Sequence, residues 1–242
     1  MSLSLTLTSN EYNLLALLVG SRQAEPLGPS AREAAVESLR SRRIMHADGK
    51  VDVRIALLFA ILARPTSRVT ITRFGANSPS TIVALQRLID VVVDIEGSRR
   101  ILTPHIDGIG LALGSIEAGR GEEFSIAGRT WRDLVLQAPH ATVDQLSRLA
   151  QLDGSTVAVS ELAARAAQAH TSRLDAQVLT FRGRRRWLGL ELSWVDWGEG
   201  SWLVDDGGRF GRSEDLDARR AVITPGSPAT AVRRLVDRST VD

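Results

Sequence analysis

The sequence predicts an α+β fold: two quasi-symmetric lobes built on a largely antiparallel sheet, with helices packed on it. Three observations predict it. First, the chain repeats itself. Residues 99–116 read RRILTPHIDGIGLALGSI and residues 219–236 read RRAVITPGSPATAVRRLV. Each is a double arginine, a short β-branched run, a Thr-Pro break and a helical pattern. Second, each copy follows a strand-rich stretch, 68–95 in one case and 174–205 in the other. Third, the short turns Glu96-Gly97 and Trp197–Gly200 join neighbouring strands, which is a hairpin signal. Self-similarity on this scale makes 1–242 a single domain with lobes at about 1–140 and 141–242, and a seam between them.

The elements follow in order. Leu3, Leu5 and Leu7 alternate with polar residues and read as a short strand. Thr8 and Glu11 have capping-box spacing, so a helix starts there and carries Leu14, Leu15, Leu17 and Leu18. Pro26, Gly28 and Pro29 break the chain. A second helix, Ala31–Arg42, is then expected with Ser30 as its cap and Glu33 at the capping-box position. Asp48-Gly49 marks a turn. A third helix, about Asp52–Ala63, is apolar nearly all round, which predicts a central position.

Strands are expected at Arg68–Phe74, Val91–Ile95 and Arg100–Thr103, with Gly75–Pro79 a turn or exposed loop. Pro104 should end its strand, and a helix should run to about Ile116. Gly119–Gly128 is loop or strand. Helices are expected at Trp131–Gln137, Val143–Ala150 and Thr156–His170. Strands are expected at 175–181, 187–196, 201–205 and Val222–Thr224, and a last helix at Pro228–Arg238.

Composition narrows the function classes. A 242-residue chain buries about 70–75% of its unfolded surface and needs no staple. It has no cysteine, which excludes thiol chemistry, cysteine metal sites and disulfides. Its 30 basic and 28 acidic residues nearly cancel, so net charge does not steer it to nucleic acid. Lys50 is the only lysine, a mark of GC-rich coding. The opening MSLSLTLTSNEYN has no charged n-region and no long apolar core, and the longest apolar run, Ile55–Ala63, falls short of the ~20 residues that span a bilayer. A cytoplasmic protein without membrane insertion is expected.

No catalytic set stands out. His46, His105, His140 and His170 are scattered, with no pair at ligand spacing on one helix. Asp205 and Asp206 are neighbours on a strand and point to opposite faces, so they make poor acid–base partners. Gly108-Ile109-Gly110 sits in an apolar helical pattern, where small residues let a helix approach a sheet; there is no Walker or GxSxG pattern. No metal, cofactor or catalytic residue is expected. An enzyme would need a deep polar pocket near Asp107, Glu191 or Asp205.

Two clusters remain. Arg182–Arg186 is a basic run placed at a hairpin tip, where Arg184, Arg185 and Arg186 would meet an anionic partner or phosphates. Trp187, Trp194, Trp197 and Trp202 crowd one region, and Trp194 and Trp202 are placed to face each other across a hairpin. The helices of 8–63, with Arg32, Arg40, Arg42 and Arg43, leave a nucleic-acid-binding regulator as the alternative reading, although Glu33 and Glu37 sit mid-face and would repel phosphate.

Three segments together resemble the EspG family of type VII (ESX) secretion-associated proteins of actinobacteria. They are LSLTLTSNEYNLLALL, then LRSRRIMHADGKVDVRIALLFAILARPTSRVTITRFG, and the repeated RILTPH…LALGSI and AVITPG…VRRLV. The resemblance implies a quasi-two-fold α+β fold without enzymatic activity. It implies a cytosolic chaperone that binds helical secretion substrates of the PE–PPE or WXG type, keeps them soluble and delivers them to the membrane machinery. It also implies that the loop after the first long strand grips the substrate. Here that is Phe74–Ile82, with Phe74 and Ile82 as apolar anchors and Asn77 and Ser78 as polar contacts. The Arg184–Arg186 tip is the second candidate. A homodimer is left open.

Overall fold

A computed structural model describes residues 4–21, 24–73, 80–86, 88–114, 116–127, 130–131, 142, 144–145, 148, 161, 164, 173–182, 185–196, 200–205 and 220–240. The strands are β1 (Leu5–Thr8), β2 (Ser67–Arg73), β3 (Ser80–Leu85), β4 (Asp90–Glu96), β5 (Arg99–His105), β6 (Phe124–Ala127), β7 (Arg173–Arg182), β8 (Arg185–Asp196), β9 (Ser201–Asp205) and β10 (Arg220–Pro225). The longer helices among the described residues are α1 (Ser9–Leu18), α2 (Pro29–Ser41), α3 (Val53–Ala63), α4 (Gly108–Leu113) and α5 (Pro228–Thr240). The strands hydrogen-bond in the order β1-β5-β4-β3-β2-β7-β8-β9-β10-β6. The predicted α+β class is what the structure has. The expected helices over 131–137, 143–150 and 156–170 and the 75–79 loop lie mostly or wholly outside the described residues.

The chain forms two compact units. The first comprises Met1–Thr70, Pro79–Ala112 and Val178–Gly189. Its opening is dictated by local chemistry. The Thr8 hydroxyl accepts from the Glu11 N–H at 3.2 Å, and the Glu11 carboxylate accepts from the Thr8 N–H at 2.7 Å. This is the capping box read from the sequence, worth about 1 kcal/mol. Glu11 does more than cap. It is 1% exposed, and it also accepts from the Ser38 hydroxyl at 2.8 Å and pairs with Arg42 at 2.9 Å. One carboxylate thereby joins β1, α1 and the end of α2.

The second helix starts earlier than expected. Gly28, not Ser30, is the N-cap; it has no side-chain bond to offer, and Pro29 sits at the first helical position. Proline is suited there because its missing N–H is one of the orphan donors in any case. The third helix is not central all round: Val53 is 78% and Leu57 59% exposed, while Leu58, Phe59, Ile61 and Leu62 are buried. An apolar periphery here is a surface feature and not a sign of burial on every side.

The β-strands of this unit alternate as expected. Ile82, Ala84, Val91, Val93 and Leu102 lie in or against the core that α1–α3 cover. Val83 points the other way, toward α4. A Cβ on Gly108 would sit 2.7 Å from Val83 Cγ1, so glycine sets how closely this helix meets the sheet. Strand β3 itself is missing from the sequence reading, because Ser80–Leu85 shows no polar alternation to separate it from the preceding loop. Pro104 does not end its strand: it pairs with Val91 inside β5. The pairing of β5 with β1 runs only from Arg99 to Leu102, so Pro104 lies beyond that ladder, where a missing N–H is tolerated. The helix after it stops at Leu113 and not Ile116, because Gly114 turns the chain with φ +63°.

The second unit comprises Ile71–Ser78, Leu113–Gln177 and Leu190–Asp242. Its described core holds four buried aromatic rings, Phe124, Trp131, Trp194 and Trp202, among aliphatic side chains. Trp202 is 1% exposed and packs on Phe124 at a 6.1 Å ring separation. A Cβ on Gly119 would overlap the Trp202 indole, so this glycine is a seat for the ring. The expected Trp194–Trp202 pair does not form. Trp202 opposes Val195, and Trp194 opposes Leu203, so the two indoles lie on opposite faces of the sheet. Both are buried, the packing role that large rings usually take.

Candidate partner-binding surfaces

The sequence-predicted site residues fall in different places. Phe74, Asn77, Ser78 and Arg184 lie outside the described residues. Ile82 is on β3, half-buried, and packs against the core under α1–α3. Arg185 and Arg186 belong to β8, whose start at Arg185 carries the strand into the basic run and leaves 183–184 as the connection from β7.

Two of the four N-terminal arginines are spent on the fold. Arg42 pairs with Glu11 and donates to the Thr6 carbonyl at 2.6 Å; Arg40 donates to the Ala47 carbonyl at 3.3 Å. Against α2 runs a shallow groove of about 770 Å³, floored by Leu27 and Val36 and rimmed by Arg32, Arg40, Glu33 and Glu37. Two acidic and two basic rims give phosphate no uniform field to follow.

The Glu11 carboxylate is the best-defined charge in the first unit. Burial pushes its pKa up. The Thr8 N–H, the Ser38 hydroxyl and Arg42 act against that and together hold it below its ordinary value. It is thus an ionised tie and not a proton donor. Asp107 accepts from the Gly110 N–H at 3.0 Å and caps α4, with the His105 ring nitrogen 2.8 Å from its own carbonyl. Asp205 is exposed on β9. Among the described residues, no three His, Cys, Asp or Glu side chains converge as metal ligands, and no helix is long and apolar enough to cross a membrane.

One surface escaped the sequence reading. Asp90 opposes His105 across the β4–β5 ladder, which carries the residues just outside that pair to the same end of the sheet. Those residues are Leu88, Ile89 and Ile106, and they are 89%, 38% and 86% exposed. The Gly108 N–H donates to Asp90 at 2.8 Å and holds the two turns together. An apolar tip made by adjacent turns is the kind of exposed surface that marks contact with another molecule. Two large aliphatic residues before Asp90 were its signal, but only the register joins them to Ile106.

The fold has a known counterpart. The chain is similar to the Mycobacterium tuberculosis type VII secretion system chaperone EspG5, solved in complex with a PE25–PPE41 dimer. The likeness covers 97% of this chain and 95% of that one, with a TM-score of 0.63 and 13% sequence identity. No protein-family model matches the chain, and no curated protein matches it in sequence. The fold is thus EspG-like over nearly the whole length of both chains.

Proposed function

We propose that this chain is a non-enzymatic cytoplasmic chaperone for helical type VII secretion substrates of the PE–PPE or WXG type. It covers an apolar helical tip of the substrate, keeps it soluble and hands it to the membrane machinery. The observation that carries this reading is the end-to-end match of fold to a chaperone solved with its PE–PPE dimer. The exposed apolar residues fit the same task, since a surface that shields apolar helices must itself be partly apolar. Phe74, Asn77, Ser78 and Ile82 are its first proposed contact set, and Arg184, Arg185 and Arg186 the second. Release must remain possible, so a standard-sized interface with a few apolar anchors is expected.

The test is co-expression with PE–PPE pairs from the source genome, followed by size-exclusion chromatography with light scattering. A stoichiometric complex that Phe74→Asp weakens at least tenfold is the expected result. If every such pair stays separate, while DNA is retained with a steep salt dependence, the regulator reading replaces this one.

A further inference from the structure

One half-buried cation in the first unit has no counter-charge among the described residues. Arg68 lies on β2. Its neighbours Ser67 and Val69 are fully buried and point to the opposite face of the sheet. Its guanidinium donates to the Leu62 carbonyl in the last turn of α3, over a long 3.4 Å. Its Cζ sits 5.8 Å from the centre of the Phe181 ring on β7. A guanidinium has five N–H donors in a planar fork and no acceptor. One long bond and one ring face leave most of that fork unspent. Among the described residues the carboxylates in ion pairs go elsewhere: Glu11 to Arg42, Asp48 to Lys50, Asp52 to Arg54 and Asp175 to Arg173.

The charged and titratable neighbours do not fill the gap. Tyr12 of α1 lies close enough to feel both Arg68 and Arg100; burial raises the pKa of its phenol, and the two arginines pull it down less strongly. The phenol stays neutral at physiological pH, a donor and no counter-charge. Arg100 has the same sign as Arg68, and its Nη1 donates to the Gly97 and Arg99 carbonyls at 2.8 and 2.9 Å. Burial also pulls the Arg68 pKa down, with Tyr12 opposing it. A cation withdrawn from water without an anion costs the fold stability. Such a cost is kept where a ligand repays it.

We propose that Arg68, flanked by Tyr12 and Phe181, receives an Asp or Glu side chain of the bound polypeptide. The inference rests on the reading of this chain as a chaperone for a polypeptide. The fork can take both carboxylate oxygens at once, the bidentate geometry in which arginine surpasses lysine. Tyr12 adds a hydroxyl donor, and the Phe181 ring covers the apolar stem of the incoming residue. The site selects as well as holds: a substrate without the acid would cover the guanidinium and leave it unpaired.

The deciding variant is Arg68→Met, which keeps the length and apolar packing and removes the charge. The expected result is a Tm that holds or rises, with affinity for the PE–PPE substrate lowered at least tenfold. A Tm lowered by several degrees, with affinity unchanged, would make Arg68 a prop for the end of α3 and overturn the proposal. A second arm needs no substrate. In arginine-¹⁵N-labelled protein, the Arg68 signal is the one that Arg68→Met removes. Acetate titrated against chloride at matched ionic strength should shift it saturably, while exposed Arg32 only drifts; drift at both sinks the idea. A saturable acetate site without any substrate complex would count against the chaperone reading and leave the carboxylate site standing.

Discussion

The two strand–turn–helix copies begin alike and are held differently. In the first, the turn after Thr103-Pro104 is clamped by Asp90, the first residue of the neighbouring strand β4, which accepts from the Gly108 and Gln86 N–H groups at 2.8 and 3.2 Å. In the second, the turn after Thr224-Pro225 is clamped by Ser201, the first residue of the neighbouring strand β9. Its hydroxyl donates to the Gly226 carbonyl at 2.6 Å, and its own carbonyl accepts from the Gly226 N–H at 3.1 Å. The same register position does the same task with a carboxylate in one unit and a hydroxyl in the other. The difference extends outward. The first unit is tied by two carboxylates, Glu11 and Asp90. The second is tied by a neutral hydroxyl and by Trp202 seated on glycine. A repeated pattern thus specifies where a strand ends and a helix begins, and leaves the chemistry of the clamp open.

The largest effect should come from the aromatic seat. In Gly119→Ala the new methyl meets the Trp202 ring and must displace it. Overpacking on this scale costs about 3 kcal/mol, to be read by urea unfolding with tryptophan fluorescence. A wild-type midpoint would mean that the indole has room to move and that the second unit is not built around it.

The ionic ties of the first unit give the next effect, and it depends on pH. Glu11→Gln removes the charged acceptor shared by the Thr8 N–H, the Ser38 hydroxyl and the part-exposed Arg42, and should cost about 2 kcal/mol at neutral pH. The folded pKa of Glu11 lies below its ordinary 4.5, so its contribution is present above that value and is lost as pH falls through the folded pKa. Wild type should therefore lose stability below about pH 4.5, and the variant should lose less there. Parallel pH profiles for the two proteins would remove Glu11 from the account.

The neutral clamp gives the smallest effect. Ser201→Ala deletes one hydroxyl bond and keeps the backbone bond, which should cost about 1 kcal/mol, with no pH dependence between 3 and 7. A larger or acid-sensitive loss would erase the contrast between the two copies.

What the sequence made legible was local. Thr8 and Glu11 lie three residues apart, and their bonds follow from that spacing. The hairpin at Glu96-Gly97 follows from the chemistry of the residues in its turn, where Gly97 takes φ +56°. What it concealed depends on partners far along the chain. Pro104 stays in its strand because the β1–β5 ladder stops at Leu102. Trp194 and Trp202 part company because the register pairs them with Leu203 and Val195. Leu88, Ile89 and Ile106 form a tip only once β4 and β5 are aligned. Arg68 looks like any arginine on an alternating strand until Leu62 and Phe181 are placed around it.

The bond from Arg42 to the Thr6 carbonyl has one more consequence. Strand β1 terminates the ten-stranded sheet, and a terminal strand is a template on which a foreign chain can crystallise, one rung at a time, into a fibre. Here the template is four residues long, and a guanidinium already occupies one of its carbonyls. A molecule whose proposed task is to keep sticky chains apart carries a stopper on its own open end.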